Sequence, residues 1–194
     1  MARDRASRPE AKPQRLFVAV DVPDGVRSQL SDAIAPIRER VRGKWVPAQN
    51  WHVTMKFLGS TWPRLVEWVQ ETCARVAAQH EPIETSLTGL GAFPNDRRAR
   101  VLWAGLDDPD RRLAGIATSL DESLASEFAP EKRGFTAHLT VARFDPPTVA
   151  LGEDLKTIAV VTDPFAIDRL MLYRSHLRRP APVYERVGDF PLGR

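Results

Sequence analysis

The chain has 194 residues, of which 43% are hydrophobic and 27% are charged, with a formal net charge of +3 and a pI near 9.3. This composition is typical of a globular domain with a packed core. No apolar run reaches the roughly 18 residues that a membrane helix needs, and the polar N-terminus lacks the apolar segment of a secretory signal. We therefore expect a cytoplasmic protein with no membrane partner, and the single cysteine, Cys73, excludes an intrachain disulfide.

Residues 1–14 are charged and poor in apolar residues, which predicts a disordered basic tail in front of one domain over residues 15–194. Apolar periodicity and turn residues predict a mixture of strands and helices in that domain. The predicted strands cover residues 15–22, 44–47, 51–58, 83–93, 100–106, 135–144, 165–173 and 183–190. The predicted helices cover residues 23–41, with a kink or break at Pro36, and residues 63–79, 110–127 and 148–158. This order indicates two related α+β lobes.

One four-residue pattern occurs twice, once in each half of the chain. A His, an apolar residue, a Thr and a second apolar residue stand at 52–55 and again at 138–141, which is 86 positions further on (138 − 52). Both copies lie in strand-like apolar runs, and they use two of only four histidines. Because alternate residues of a strand share a face, each His is predicted to stand beside its Thr, with the apolar residues turned into the core.

The side chains of this pattern suit acid–base chemistry at a phosphate. A histidine gains or loses a proton near neutral pH, so two histidines in opposite protonation states can serve as the acid and the base. The Thr hydroxyls can donate hydrogen bonds to phosphate oxygens. We therefore take His52, His138, Thr54 and Thr140 as the candidate site.

Two basic residues near the motifs are further candidates for substrate binding. Strand alternation places Lys56 on the same face as His52 and places Arg143 on the face opposite His138. We therefore leave open, for each, a solvated or structural role. The sequence has no zinc-ligand spacing, no phosphate-binding glycine loop and no GxSxG motif, so we expect neither a metal nor a cofactor.

At these residues the chain resembles a known family, the RNA 2′,3′-cyclic phosphodiesterases or 2′-5′ RNA ligases (LigT-like) of the two-histidine phosphoesterase superfamily. One departure is Ala137, where members often have Pro before the second His. The matching segments are RLFVAVDVP (15–23), WVPAQNWHVTMKFLG (45–59), GLGAFP (89–94), RVLWAGL (100–106), FTAHLTVARF (135–144) and LMLYRSHL (170–177).

The resemblance implies a bilobal α+β fold with pseudo-two-fold symmetry, in which two antiparallel sheets line a central groove and helices pack outside. It implies hydrolysis of 2′,3′-cyclic phosphate ends of RNA to 2′-phosphates without metal or ATP, with 2′-5′ ligation as a related activity. By position, His52 would donate a proton to the leaving 3′ oxygen and His138 would accept one from water, while Thr54 and Thr140 would bind the phosphate oxygens. The implied partner is RNA with a 2′,3′-cyclic end, tRNA fragments included, and we expect a monomer.

Two other functions fit the same residues. The first is a phosphodiesterase of small cyclic or 2′-5′-linked nucleotides. The second is a non-catalytic RNA-binding protein, since 23 of the 28 basic residues are Arg, which binds phosphate well. A GC-rich genome also explains that Arg content, and a binding protein has no need of paired proton carriers, so an enzyme is favoured.

Overall fold

The computed structural model describes residues 12–193, so residues 1–11 of the predicted tail lie outside the described range. Gln14, the last residue of that predicted tail, already belongs to the first strand. The strands are β1 (Gln14–Asp21), β2 (Lys44–Trp45), β3 (His52–Thr61), β4 (Ile83–Thr85), β5 (Leu87–Phe93), β6 (Val101–Leu106), β7 (His138–Arg143), β8 (Phe165–Ile167), β9 (Arg169–His176) and β10 (Val183–Pro191). The helices are α1 (Asp24–Arg40), α2 (Val66–Ala77), α3 (Arg112–Ser123) and α4 (Gly152–Thr157).

The predicted α+β class is confirmed, and four elements illustrate how the structure differs in detail from the sequence prediction. Helix α1 continues through Pro36 without a break. The predicted strand at 83–93 is two strands, β4 and β5, and the one at 165–173 is likewise divided into β8 and β9. Strand β3 continues past Gly59, whose φ of +65° is a conformation that glycine adopts readily.

The sheet unites the two halves of the chain. Its strands run in the order β10-β9-β1-β3-β7-β6-β5, with β2 pairing to β7, and neighbouring strands are antiparallel. Strands β4 and β8 form a separate small pair. The first motif therefore begins β3, the second begins β7, and these two strands are neighbours at the centre of the sheet.

The contact between β3 and β7 relates the motifs by a local two-fold. Within the described residues, one pair joins these two strands, and it consists of Val53 and Leu139. Each of them is the second residue of its motif. An antiparallel register centred on that pair brings His52 alongside Thr140 and His138 alongside Thr54. Residues 86 positions apart in sequence (138 − 52) thus meet on one face of the sheet, which we call the motif face.

The opposite face of the sheet is the hydrophobic core. Val53, Met55, Leu139 and Val141 are at most 3% exposed and pack in one cluster with the apolar sides of α1, α2 and α3. Cys73 of α2 lies in the same cluster, and its burial raises the pKa of the thiol to about 12, which fits a core residue. Within residues 12–193, no helix has the length and apolarity to cross a bilayer.

Candidate active site

Both motif histidines are fixed by the same backbone contact. The Nδ1 atom of His52 lies 2.7 Å from the carbonyl oxygen of Asn50, and the Nδ1 atom of His138 lies 2.7 Å from that of Thr136. Because a carbonyl only accepts hydrogen bonds, each Nδ1 carries the hydrogen and donates it. Each Nε2 is therefore the atom left to take up or release a proton, in both halves of the site.

A motif threonine adjoins the reactive nitrogen of His52. Thr54 Oγ1 lies 3.1 Å from His52 Nε2, so the hydroxyl can donate to the neutral ring. Thr140 occupies the equivalent position in β7, and all four side chains are half-buried. The predicted face-sharing of each His with its Thr is thus found in the structure, and the four side chains lie together on the motif face.

A bulge at the last residue of each motif reverses the alternation of the strand. In the pairing of β1 with β3, Val18 lies opposite Lys56 and Ala19 opposite Thr54, which leaves Met55 without a partner. In the pairing of β6 with β7, Val141 is skipped in the same way. An extra residue in one strand turns the following side chains to the other face. The predicted orientations of both basic candidates are therefore wrong.

Lys56 points away from the motif face and into the protein interior. It is 1% exposed, and its Nζ donates to the Asp121 carboxylate and to the Ala129 carbonyl, the latter at 2.8 Å. Burial acts to raise the pKa of Asp121, but the hydrogen bonds from Lys56 and from the Glu131 amide lower it overall. Lys56 thus ties β3 to the segment that follows α3, and that segment leads into the second motif.

Arg143, in contrast to Lys56, lies on the motif face, because the bulge at Val141 turns its side chain to that side. The side chain is exposed, and its positive charge acts on a phenol and an imidazole across the sheet. It opposes the burial that raises the pKa of Tyr184, and it adds to the burial that lowers the pKa of His52. Of the two basic candidates, Arg143 is the one that the structure brings to the site.

Each motif histidine has two aromatic rings as close neighbours. The ring centroid of His52 lies 4.8 Å from that of Phe17 and 5.2 Å from that of Tyr184. His138 stands edge-on to Phe93 at 5.3 Å and lies 6.1 Å from Trp103. These rings fix the orientation of the imidazoles and exclude water from one side of each.

These aromatic residues, together with Phe57, Asp21 and Arg27, were not predicted from the sequence. Phe57 follows the bulge at Met55 and occupies in β3 the position that Arg143 occupies in β7, and the residue is 61% exposed on the motif face. Phe17 and Asp21 lie in a continuous apolar strand, and this pattern predicts only a buried core strand. The signal that could have found them is their position in strands flanking the motif strands, which requires the sheet order.

The surroundings of His52 lower its pKa. Burial is the largest cause, and the charges of Arg27 and Arg143 act in the same direction. The hydrogen bond to Asn50 and the charge of Asp21 oppose them. His52 is therefore held mainly as the neutral ring in the free protein at neutral pH. Among residues 12–193, no group of three or more His, Cys, Asp or Glu side chains is arranged to bind a metal ion.

An α+β sheet that pairs two such motifs places the chain in the two-histidine class of phosphoesterases. The model of the LigT like Phosphoesterase family matches residues 20–103 and 105–184. An RNA 2′,3′-cyclic phosphodiesterase of Methanothermobacter thermautotrophicus is 31% identical over 92% of this chain and 98% of its own. The protein belongs to the LigT-like phosphoesterase family.

Solved structures agree with this assignment. A crystal structure of a Thermus thermophilus protein superimposes with a TM-score of 0.78 at 27% identity, covering 92% of this chain and 97% of that one. The crystal structure of E. coli LigT in apo form gives a TM-score of 0.77 at 26% identity, covering 94% and 99%. E. coli LigT has also been crystallised with phosphate, and that structure superimposes with a TM-score of 0.75 at 25% identity, covering 94% and 99%.

Proposed function

We propose that this protein hydrolyses the 2′,3′-cyclic phosphodiester ends of RNA to 2′-phosphomonoesters, with His52 and His138 as the acid and the base. The observation that carries the proposal is the pairing of Val53 with Leu139, which brings both motifs to one face. The relatives named RNA 2′,3′-cyclic phosphodiesterase supply the substrate class. E. coli LigT binds phosphate in a crystal, which supports a phosphate site in this fold.

In this mechanism His138 Nε2 accepts a proton from water, and the water oxygen attacks phosphorus. The bond from phosphorus to O3′ breaks, and His52 Nε2 gives its proton to O3′. After the reaction His138 is protonated and His52 is neutral, so the two residues exchange protonation states in each turnover. With a 5′-hydroxyl in place of water, the same two steps join RNA ends through a 2′-5′ bond.

The lowered pKa of His52 bears directly on its role as the donor. A proton donor has to be charged before the reaction, and burial disfavours that charge. The bound phosphodiester is an anion beside Nε2, so substrate binding favours the protonated ring. Because Nδ1–H is already held by the Asn50 carbonyl, the added proton resides on Nε2, where the leaving oxygen needs it.

The remaining groups of the motif face bind the phosphate. Thr54 and Thr140 donate their hydroxyls to the non-bridging oxygens, which carry more charge in the transition state. Arg143 adds a guanidinium at the end of β7, where its planar fork suits phosphate oxygens. All three side chains stand on strands of the central sheet, which hold them more rigidly than loops do.

The test is to incubate purified protein with RNA ending in a 2′,3′-cyclic phosphate, in EDTA, and to identify the product end. The proposal predicts a 2′-phosphate that a phosphatase removes, with no requirement for added metal or ATP. A 3′-phosphate product, or binding without turnover, would reject the proposed reaction. The second result would favour an RNA-binding protein.

The chief alternative keeps the same site but assigns it a small cyclic nucleotide. Backbone phosphates beyond the reacting one add salt-dependent binding energy only if the substrate is an RNA end. We expect an RNA oligomer to show a higher kcat/KM than a cyclic mononucleotide at low salt, with the difference shrinking as salt rises. Equal values at both salt concentrations favour the small nucleotide. We further propose that the protein acts as a cytoplasmic monomer on RNA fragments, including those of tRNA.

A further inference from the structure

A cavity of about 290 Å³ lies beside His52. Its lining includes His52, Asn50, Tyr184, Asp21, Arg27 and Arg186, but neither His138 nor the two motif threonines. It therefore extends from His52 away from the second motif. Its volume is close to the lower end of the range for small-molecule sites, about 300–1,000 Å³.

Arg27 of α1 lines this cavity with a guanidinium whose hydrogen bonds are weak or unmade. Its side chain is 19% exposed, and its contacts with the Trp51 carbonyl and the Asp24 carboxylate are long, at 3.4 and 3.5 Å. Within the described residues, its buried Nε has no hydrogen-bond partner. A guanidinium has five N–H donors, and a partly buried cation whose donors are weakly used is suited to binding an anion.

Arg186 of β10 supplies a second guanidinium, and Asp21 is the one carboxylate among the lining residues that the structure describes. Asp21 accepts a hydrogen bond from the Tyr173 hydroxyl, at 2.8 Å from each carboxylate oxygen, and lies 3.6 Å from Arg186. Asp21 is thus committed to its neighbours, and Asp189 lies 3.6 Å from the same Arg186 guanidinium. Among the lining residues, two arginines stand against one carboxylate, while the two carboxylates outside the lining, Asp24 and Asp189, make only long contacts with Arg27 and Arg186, at 3.5 and 3.6 Å.

The side of the site on which the cavity lies indicates what it binds. In the proposed function, O3′ leaves toward His52, and in-line attack places the water on the opposite side, at His138. The ribose that carries O3′ therefore lies on the His52 side. C5′ and its phosphate belong to the same ribose, so the next backbone phosphate extends away from the second motif, as the cavity does.

We propose that Arg27 and Arg186 bind the 5′-phosphate of the terminal nucleotide, and that they thereby select RNA ends over cyclic nucleosides. This inference rests on the proposed function. It adds a specificity site to the reaction that His52 and His138 carry out.

The test compares adenosine 2′,3′-cyclic phosphate with the same molecule bearing a 5′-phosphate. For the wild type, we expect the 5′-phosphate to raise kcat/KM by about 10- to 150-fold, the usual value of hydrogen bonds to a charged group. Arg27→Gln and Arg186→Gln should each reduce that ratio to a few-fold. Arg38→Gln removes the same charge from an exposed position of α1 and should keep the wild-type ratio.

The ratio of kcat/KM with and without the 5′-phosphate distinguishes a failure of the 5′-phosphate site from a failure of the proposed hydrolysis. If the wild type hydrolyses both compounds with equal kcat/KM, the 5′-phosphate site is rejected and the hydrolase stands. If it hydrolyses neither compound nor cyclic-ended RNA, the proposed function itself fails. If Arg27→Gln does not fold, Arg186→Gln decides, because its half-exposed side chain is tolerant of change, and an unaltered ratio there overturns the proposal.

Discussion

His52 and His138 share the same hydrogen-bond arrangement. Each donates from Nδ1 to a carbonyl two residues back, so their reactive Nε2 atoms are equivalent by geometry. Burial lowers the pKa of His52, whose neighbours also include Asp21, Arg27 and Arg143. This equivalence is what lets either ring carry a proton at Nε2 in the proposed mechanism.

The two threonines should contribute to catalysis through their hydroxyls alone. Thr54→Val and Thr140→Val keep the shape and the strand preference of the side chain and remove the donor. Because a hydrogen bond to a charged group contributes about 1.5–3 kcal/mol, we expect kcat/KM to fall by about 10- to 150-fold in each variant. Steady-state kinetics measure this, and Thr118→Val, on the exposed part of α3, is a control for the substitution itself. Unchanged kinetics in both motif variants would remove the threonines from the site.

The lowered pKa of His52 also predicts how stability depends on pH. In the unfolded chain His52 has its ordinary pKa near 6.5, and in the folded protein the pKa is lower, so the unfolded chain binds the proton more readily. The stability that the neutral ring contributes is therefore present above pH 6.5 and is lost as the pH falls. The free energy of unfolding can be measured with denaturant near neutral pH and about two pH units lower. Its decrease between the two pH values should be smaller for His52→Gln than for the wild type. Equal losses would contradict the burial argument.

At the scale of the elements, the two bulges decide which side chains reach the site. The alternation within each motif could be predicted from sequence, because a strand has a two-residue period and the apolar residues mark the core side. The bulges could not, because Met55 and Val141 are apolar whether or not they are paired. One extra residue in each strand was enough to exchange the predicted faces of Lys56 and Arg143.

This exchange predicts contrasting effects for the two charges. Lys56→Met breaks a buried pair whose carboxylate, Asp121, is 22% exposed, so we expect a loss of about 2–4 kcal/mol of stability with no change in the salt dependence of RNA binding. Arg143→Gln should leave stability nearly unchanged, lower kcat/KM for RNA and reduce the salt slope by about one. Denaturant unfolding and kinetics at several salt concentrations measure both. The reverse pattern would place Lys56 at the substrate.

At the scale of the molecule, the site exists only because β3 and β7 are neighbours. Local patterns identified the two motifs and most elements, since helices and strands leave a period in the sequence. They could not supply the order of the strands, so the aromatic residues that β1, β5, β6 and β10 place beside the histidines could not be predicted from sequence. The cavity at Arg27 and Arg186 likewise requires α1 and β10 to be brought together by the fold.

The assignment of His52 as the acid and His138 as the base is the central claim, and a sulfur substitution tests it. His52→Ala and His138→Ala should each slow hydrolysis of a cyclic-ended RNA by about 10²–10⁴-fold while remaining folded. A substrate with sulfur in place of O3′ releases a thiolate, which leaves without needing a proton.

Single-turnover rates of the wild type and both variants on the oxygen and sulfur substrates therefore give the most direct answer. We predict that sulfur restores most of the lost rate to His52→Ala and none to His138→Ala, because only His138 is still needed to activate water. Rescue of His138→Ala instead would reverse the two roles. Near wild-type hydrolysis of the oxygen substrate by either folded variant would contradict the paired-histidine mechanism altogether.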